Sequence, residues 1–571
     1  MPSETDLALS GARTARAVEW AHHGSAALSR TVAISSRFGW DAAALVLFVA
    51  AALLVVATFN QYGVTWDEDA INWYGVFALD YYLSGFHDLR ALAWLDLTNY
   101  GAVFDMTAAA VNLVSPFGTY ETRHLLNGLV GVLGLVGVWK LGREIGGPRA
   151  GFIAALFLCL TPNYYGQMFN NPKDIPFAVG MVWTLYFIAR VLPLVPRPGW
   201  RDVAKLGLAI GLTMGVRVGG LMLFGYVGLM LLLSAAWRGS ERRSWRAFIA
   251  EAWLGLWRVL VSAALVAYPV MLFFWPWSQR SPIANPLAAL AAFSHQVFPW
   301  PTLFAGSYIQ AADLPWIYLP VHILIALPEL VLLLLVAAPA LAWIGLKRAP
   351  WPLERTRALC GFMLGFAILF PVAYAIAIHA ILFDGMRHFI FVLPPIACTA
   401  ALVADAALDR LRAVRWRSYA YGALALYGAY HVGVMAMLHP DEYVYYNLAV
   451  GGVPGARGEF KLDYWANSYA EAVQGLDDYL RAEYGADFMD HDFTVAVCGP
   501  PGSAGYYFPS NFIYTPDPQE AAFFIAFTKD NCDKAVPGKV IYRVERMGVL
   551  LSLVIDRREV PARTTRLAGG R

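Results

Sequence analysis

Charge is the scarcest property of this sequence. Only 15% of its 571 residues are Asp, Glu, Lys or Arg, whereas 58% are hydrophobic and the mean hydropathy is +0.50. That balance excludes a soluble globular chain, and the sequence reads as an integral membrane protein. Net charge is lacking too: at +2 there is no overall basic field to hold nucleic acid. Cysteines number five, and no Cys or His cluster has the spacing of a zinc site. The stretch GPPGSAG at 499–505 lacks the Gly-Lys-Ser/Thr ending of a phosphate-binding P-loop. The first apolar run starts near residue 41 behind a long arm, which is late for a signal peptide.

What is abundant is apolar sequence in long runs. A bilayer core needs about 20 apolar residues as a helix, because unpaired backbone groups cannot be left in lipid. Eleven segments are candidates, at about 41–60, 122–141, 149–165, 175–195, 203–219, 220–237, 250–275, 316–346, 358–379, 389–408 and 418–437. The fifth and sixth are short and meet at Gly219-Gly220, as a tight hairpin would. Orientation follows from Lys and Arg, which are retained on the cytoplasmic side. Alternate loops such as KLGREIGGPR, RPGWRDVAK and WRGSERRSWR are basic, as is the N-terminal arm with Arg13, Arg16, Arg30 and Arg37. The loops at 61–121, 166–174, 276–315 and 380–388 have few basic residues and are expected on the other face. Three regions result: a cytoplasmic arm at 1–40, a transmembrane body at 41–437 and an extracytoplasmic region at 438–571.

The last region is polar and reads as a small α/β domain. DYWANSYAEAVQGLDDYLRAEYG has the pattern of an amphipathic helix; FTVAVCG, AAFFIAFT and VIYRVERMGVLLSLVIDR read as strands, the last turning near Met547-Gly548. Cys498 and Cys532 both fall here and can pair if the compartment is oxidising. Cys159, Cys360 and Cys398 lie in apolar spans as core residues.

The informative charges sit where the chain leaves the membrane. In TWDEDAINWYG, residues 65–75, Thr65-x-x-Glu68 fits a helix capping box, which accounts for Glu68 as well as a functional role does. It does not account for the long aromatic and acidic loop that follows, whose segments AINWYGVFALDYYLSGF and VFDMTAAAVNLVSPFG suit the membrane surface. In TPNYYGQMFNNPKDIPF, Asn171-Pro172 is a helix start with Asp174 in its first turn and Lys173, Tyr164 and Asn170 nearby. Arg217, in GLTMGVRVGG, is either one half of an ion pair, with Asp174 as partner, or a ligand-binding cation. Arg387 and His388, in ILFDGMRHFIFVLPP, are cations on a face that otherwise avoids them. Carboxylates from two loops and cations from two others suit one chemistry: a general base for an acceptor hydroxyl, and positive charge for a departing phosphate.

These motifs, with the acidic pair Asp67-Glu68 and the stretch YYNLAVGGVPGARGEFKLDYWANS, together resemble the family 39 glycosyltransferases, C-type membrane enzymes that include protein mannosyltransferases and aminoarabinose transferases. The resemblance runs from about residue 60 to 470. It implies a mainly α, polytopic transmembrane bundle of the GT-C type and an integral, multi-pass protein of the cytoplasmic (inner) membrane with an extracytoplasmic active site. It further implies a polyprenyl-phosphate sugar donor, no nucleotide cofactor, inversion at the anomeric carbon, and a glycan, lipid or protein acceptor. Carried over, Asp67 is the first choice for the base and Glu68 the second, and Asp174 positions the acceptor or a metal. Arg387 and Arg217, with Lys173, receive the lipid phosphate; His388, His379, Tyr164 and Asn170 are supporting candidates. The resemblance leaves open a divalent metal held by Asp67 and Asp174. The stretch Tyr443 to Trp465 is a lid or a structural turn. The absence of a β-trefoil insert weighs against a protein acceptor. A transporter would show internal repeats, which are not visible, and acids at the bilayer midplane, where only Glu329 and Asp405 stand out. A membrane scaffold with a partner-binding domain leaves the charges of four loops without a role.

Overall fold

The computed structural model describes residues 39–294, 298–348, 353–411 and 414–560, so most of the N-terminal arm lies outside the described residues. α1 (Gly39–Gln61) leads to two helices of the first long loop, α2 (Glu68–Leu83) and α3 (Val103–Asn112). They share a small apolar core around Ile71, Tyr74, Phe77 and Met106, apart from the main one. The bundle continues with α4 (Thr119–Gly146), α5 (Pro148–Cys159), α6 (Pro162–Asn170), α7 (Asp174–Val191), α8 (Trp200–Met214) and α9 (Met222–Glu241). α10 (Trp245–Gly255) and α11 (Ser262–Phe273) form one span through a π-helical stretch at Leu256–Val261. Two short helices, α12 (Pro276–Arg280) and α13 (Ala284–Ser294), precede a hairpin of β1 (Pro301–Phe304) and β2 (Ser307–Gln310) that the sequence did not announce. α14 (Tyr318–Ala326), α15 (Glu329–Arg348), α16 (Leu353–Ala377), α17 (Leu393–Arg410) and α18 (Val414–Leu438) complete the bundle.

Among the described residues, eight helices are long and apolar enough to cross a bilayer, and nine if α14 and α15, bent by 118° at Leu327-Pro328, count as one. Two of the eleven expected segments are shorter than read. α5 has 12 residues, about 18 Å of helix, and reaches its end of the bundle only by continuing into α6. α8 has 15 residues and connects through the turn Val218–Leu221 to α9, which together with that turn is a full-length span and not the incomplete arm of a tight hairpin expected at Gly219-Gly220.

Close packing comes from small residues. α4 carries Gly128, Gly131, Gly134 and Gly137 along its length, and a Cβ at each would press on Val55, Met168, the Tyr164 hydroxyl and Val182 in turn. Glycine there lets side chains of α1, α6 and α7 settle directly against the α4 backbone, as small residues do between membrane helices. The basic loops gather at one end, where Arg143 meets Asp41 at 2.9 Å, Arg149 meets Asp405 at 2.5 Å and Arg238 meets Glu251 at 3.2 Å.

At the other end, residues 443–465, including the short helix α19 (Gly452–Ala456), pack into the main bundle core through Tyr443, Val453, Phe460 and Trp465. Residues 443–447 and 460–465 are buried, whereas Leu448 and residues 457–459 between them are exposed. Beyond them α20 (Tyr469–Tyr484) lies on a five-stranded sheet ordered β4-β3-β5-β7-β6, with β3 (Phe493–Val497), β4 (Phe512–Tyr514), β5 (Phe523–Phe527), β6 (Lys539–Arg546) and β7 (Val549–Asp556). β3 is parallel to β4 and β5; β7 is antiparallel to β5 and to β6, which turns into it at Met547-Gly548. A second core of Leu476, Leu480, Val495, Phe523 and Val554 joins helix to sheet. The architecture is thus a mainly α membrane bundle carrying a small C-terminal α/β unit.

Candidate active site

The first loop decides which of two adjacent acids faces inward. Glu68 Oε2 accepts the Thr65 backbone N–H at 2.9 Å, one half of the expected capping box, while the Thr65 hydroxyl donates to Glu68 and to the Asn170 carbonyl instead of capping α2; Oε2 also lies 3.1 Å from His124 Nε2. Glu68 is therefore buried and turned into the protein. Asp67, one residue earlier, faces a cavity of about 700 Å³. The second loop works similarly. Asn171 Oδ1 accepts the Asp174 backbone N–H at 3.1 Å, so Asn171 caps α7 as expected, although regular helix begins only at Asp174.

The cavity lies between the ends of α1, α7, α8 and α17 and the C-terminal unit, and carries five Lys and Arg side chains on its lining. Arg217 forms an ion pair with Asp174, so the structural alternative for Arg217 holds. Lys173 Nζ donates to Asp105 Oδ2 at 2.6 Å and to the Gly101 carbonyl at 3.2 Å; Asp105 in turn accepts from Arg123 at 2.9 Å. Lys173 is thereby committed to Asp105 rather than open to a phosphate. Arg387 reaches Asp67 Oδ2 at 3.4 Å through Nη1 and donates from Nε to His388 Nε2 at 3.3 Å. Its guanidinium stacks on Trp465 at 4.3 Å and on Phe383 at 4.8 Å, which fixes its plane. Nη2 has no hydrogen bond among the described residues and is available to a ligand.

Three cations surround Asp384. Lys461 Nζ is 3.3 Å from its carboxylate, and Arg387 Nη1 and Lys529 Nζ are each 3.9 Å from it. Burial alone would raise the Asp384 pKa, but Lys529, Lys461 and Arg387 together hold it below the usual carboxylate range. Asp67 behaves oppositely. Its side chain opens to the cavity, being 40% exposed, yet the enclosing walls keep its surroundings poorly solvated, and this burial lifts its pKa against the pull of Arg387. A carboxylate so placed is a stronger base than one in water.

Of the residues singled out from the sequence, Asp67, Asp174, Lys173, Arg217, Arg387 and His388 line the cavity. Four do not. Glu68 is spent on the Thr65 backbone N–H and His124; Asn170 is buried against Asn467 at 2.7 Å; Tyr164 donates to the Gly131 carbonyl at 2.9 Å inside the α4 groove; His379 is exposed beyond the end of α16. Sequence reasoning missed Asp384, Lys461 and Lys529. Asp384 stands three residues before Arg387 in FDGMRH, and Lys461 lies in the Gly- and Tyr-rich stretch before α20. Nothing around Lys529 in AFTKDNC marks it.

Asp67 and Asp174 are each engaged by a guanidinium, and the described residues contain no group of three His, Cys, Asp or Glu arranged to hold an ion.

Residues 121–268 match the family model described as dolichyl-phosphate-mannose-protein mannosyltransferase. The resemblance to the family 39 transferases is thereby borne out. No curated protein matches the chain. Among solved structures, ArnT from Cupriavidus metallidurans bound to undecaprenyl phosphate is similar at 16% identity and a TM-score of 0.47, covering 92% of this chain and 99% of that one. The apo form of the same protein gives 17% identity and 0.45 over 90% and 97% of the two chains. The archaeal oligosaccharyltransferase AglB from Archaeoglobus fulgidus, in complex with an inhibitory peptide and a dolichol-phosphate, gives 13% identity and 0.44 over 85% and 69%.

Proposed function

We propose that this protein is an inverting glycosyltransferase that moves a sugar from a polyprenyl-phosphate carrier to an acceptor hydroxyl on the extracytoplasmic face. The observation that carries this reading is the meeting of Asp67 and Arg387 at 3.4 Å in one cavity, from positions 320 residues apart. A base and a phosphate-binding cation on facing walls are what such a transfer needs. The matched family's description, which names a dolichyl-phosphate-linked sugar, supports the same donor class.

In the reaction, the acceptor oxygen attacks the anomeric carbon while Asp67 takes its proton. The bond from the anomeric carbon to the phosphate oxygen breaks, and the lipid phosphate leaves with the electron pair. Arg387 stabilises the growing negative charge through Nη2, with Trp465 and Phe383 holding its plane. A single displacement inverts the anomeric centre. Asp174, held by Arg217, orients the acceptor, and the aromatic walls exclude water, which strengthens each contact. The extracytoplasmic assignment rests on the basic loops read from the sequence, which alternate with the loops that form this cavity.

The test is to incubate the purified protein with a panel of polyprenyl-phosphate sugars and an acceptor, following release of lipid phosphate and the anomeric configuration of the product. Release with inversion from one donor is expected. No release from any donor, or retention of configuration, contradicts the reading.

A further inference from the structure

We infer that Lys529, supplied by the C-terminal α/β unit, is a ligand of the donor phosphate, and that the disulfide Cys498–Cys532 holds it in the cavity. The inference rests on the proposed lipid-phosphate donor and adds a binding residue and a redox-sensitive device to it.

The argument begins with pairing. Four of the five Lys and Arg side chains lining the cavity hydrogen-bond to a carboxylate: Lys173 to Asp105, Arg217 to Asp174, Arg387 to Asp67 and Lys461 to Asp384. Lys529 is the exception among the described residues. Its side chain is 10% exposed, its nearest carboxylate oxygen is 3.9 Å away on Asp384, and Nζ donates to no group within hydrogen-bond distance. Burial costs an ammonium its hydration, and here lowers the Lys529 pKa. Three N–H donors with no acceptor within hydrogen-bond distance among the described residues suit an anion with several oxygens, which a phosphate monoester is.

The surroundings fix the lysine in place. Nζ sits 4.4 Å over the Trp66 ring, the residue before Asp67. Trp66 reaches that position because residue 499 is glycine: a Cβ there would lie 2.6 Å from the indole, and its φ of +87° is a left-handed conformation that favours glycine. The turn carrying Lys529 is strained, with Asp530 and Asn531 both left-handed at φ +55° and +59°. It is held from three sides. The Thr528 backbone donates to Leu551 of β7 at 3.0 Å, Asn531 Nδ2 donates to the Tyr308 hydroxyl on β2 at 3.3 Å, and Cys532 is bridged to Cys498, a residue of the cavity wall. Cleaving the bridge removes the covalent restraint nearest the lysine.

Equilibrium binding of farnesyl phosphate to the purified full chain in detergent tests this, with farnesol as the uncharged control. Lys529→Ala is expected to weaken farnesyl phosphate binding about 10-fold or more, to leave farnesol binding unchanged, and to be largely rescued by Lys529→Arg. Reducing the disulfide is expected to weaken farnesyl phosphate binding in the wild type but to add little in Lys529→Ala, because two changes acting through one contact are not additive. If the wild type binds farnesyl phosphate and Lys529→Ala binds it equally well, the inference is overturned while the function stands. Loss of farnesol binding along with farnesyl phosphate also overturns the phosphate contact. Equal weakening by reduction in both proteins removes the disulfide from the proposal. A wild type that binds farnesyl phosphate no better than farnesol overturns the inference and the donor class together.

Discussion

Asp67 and Glu68 are adjacent carboxylates with different environments, and the difference is set by local geometry. Glu68 turns back to the Thr65 backbone N–H and to His124, which takes it out of the cavity and leaves Asp67 in it. The two readings of Glu68 were both visible in the sequence, and in the structure its carboxylate is spent on the Thr65 backbone and His124. The environment of Asp67 has a kinetic consequence. The base must be ionised to accept a proton, and burial raises its pKa, so activity is expected to fall as pH drops through a value above the ordinary carboxylate range of about 4. Arg387 lowers that pKa, so Arg387→Ala should move the acid limb of residual activity to still higher pH. The pH dependence of kcat/KM for both proteins checks this; an acid limb that Arg387→Ala leaves in place, or moves downward, contradicts the pairing.

Elements rather than residues explain how the loops stay in register. Gly101 and Gly215 meet backbone to backbone: a Cβ on Gly101 would lie 2.0 Å from the Gly215 carbonyl oxygen, too close for any side chain. The contact joins the loop after α2 to the end of α8, beside the bridge between Tyr100 and Arg217 and at the carbonyl that receives Lys173. Gly101→Ala must part the two segments and shift Arg217 and Lys173 together. Misplacement of about 1 Å near the chemistry costs roughly 100-fold in rate, and overpacking costs about 1–3 kcal/mol of stability. Steady-state assays and thermal unfolding of the variant check both; a variant with wild-type rate and stability contradicts the close approach. At this scale the sequence was informative where one property repeats along the chain. Apolar runs, the Asn171 cap, the β6-β7 hairpin and α20 all follow from local pattern. The hairpin of β1 and β2 was not legible, because its strands are only four residues each and carry no alternation strong enough to read.

For the whole molecule, the two ends of the bundle differ in kind. One collects the basic loops and their ion pairs; the other collects a cavity walled by segments near residues 67, 174, 217, 387, 461 and 529. Loop parity read from the sequence placed Asp67, Asp174, Arg217 and Arg387 at a common end, and they share that cavity. It said nothing of Lys461 and Lys529, because which distant cation meets Asp384 depends on how the C-terminal unit docks and not on any local pattern. Convergence of remote segments on one lipid headgroup is the central claim, and its parts should fail separately. Asp67→Asn keeps the shape but not the base, whereas Arg387→Ala removes a phosphate ligand. The decisive measurement is single-turnover release of polyprenyl phosphate from donor-loaded protein, with donor affinity determined in parallel. The account predicts that Asp67→Asn slows release by about 10²–10⁴-fold at near wild-type donor affinity, and that Arg387→Ala weakens donor binding. Wild-type release from Asp67→Asn, or unchanged donor affinity in Arg387→Ala, would contradict it.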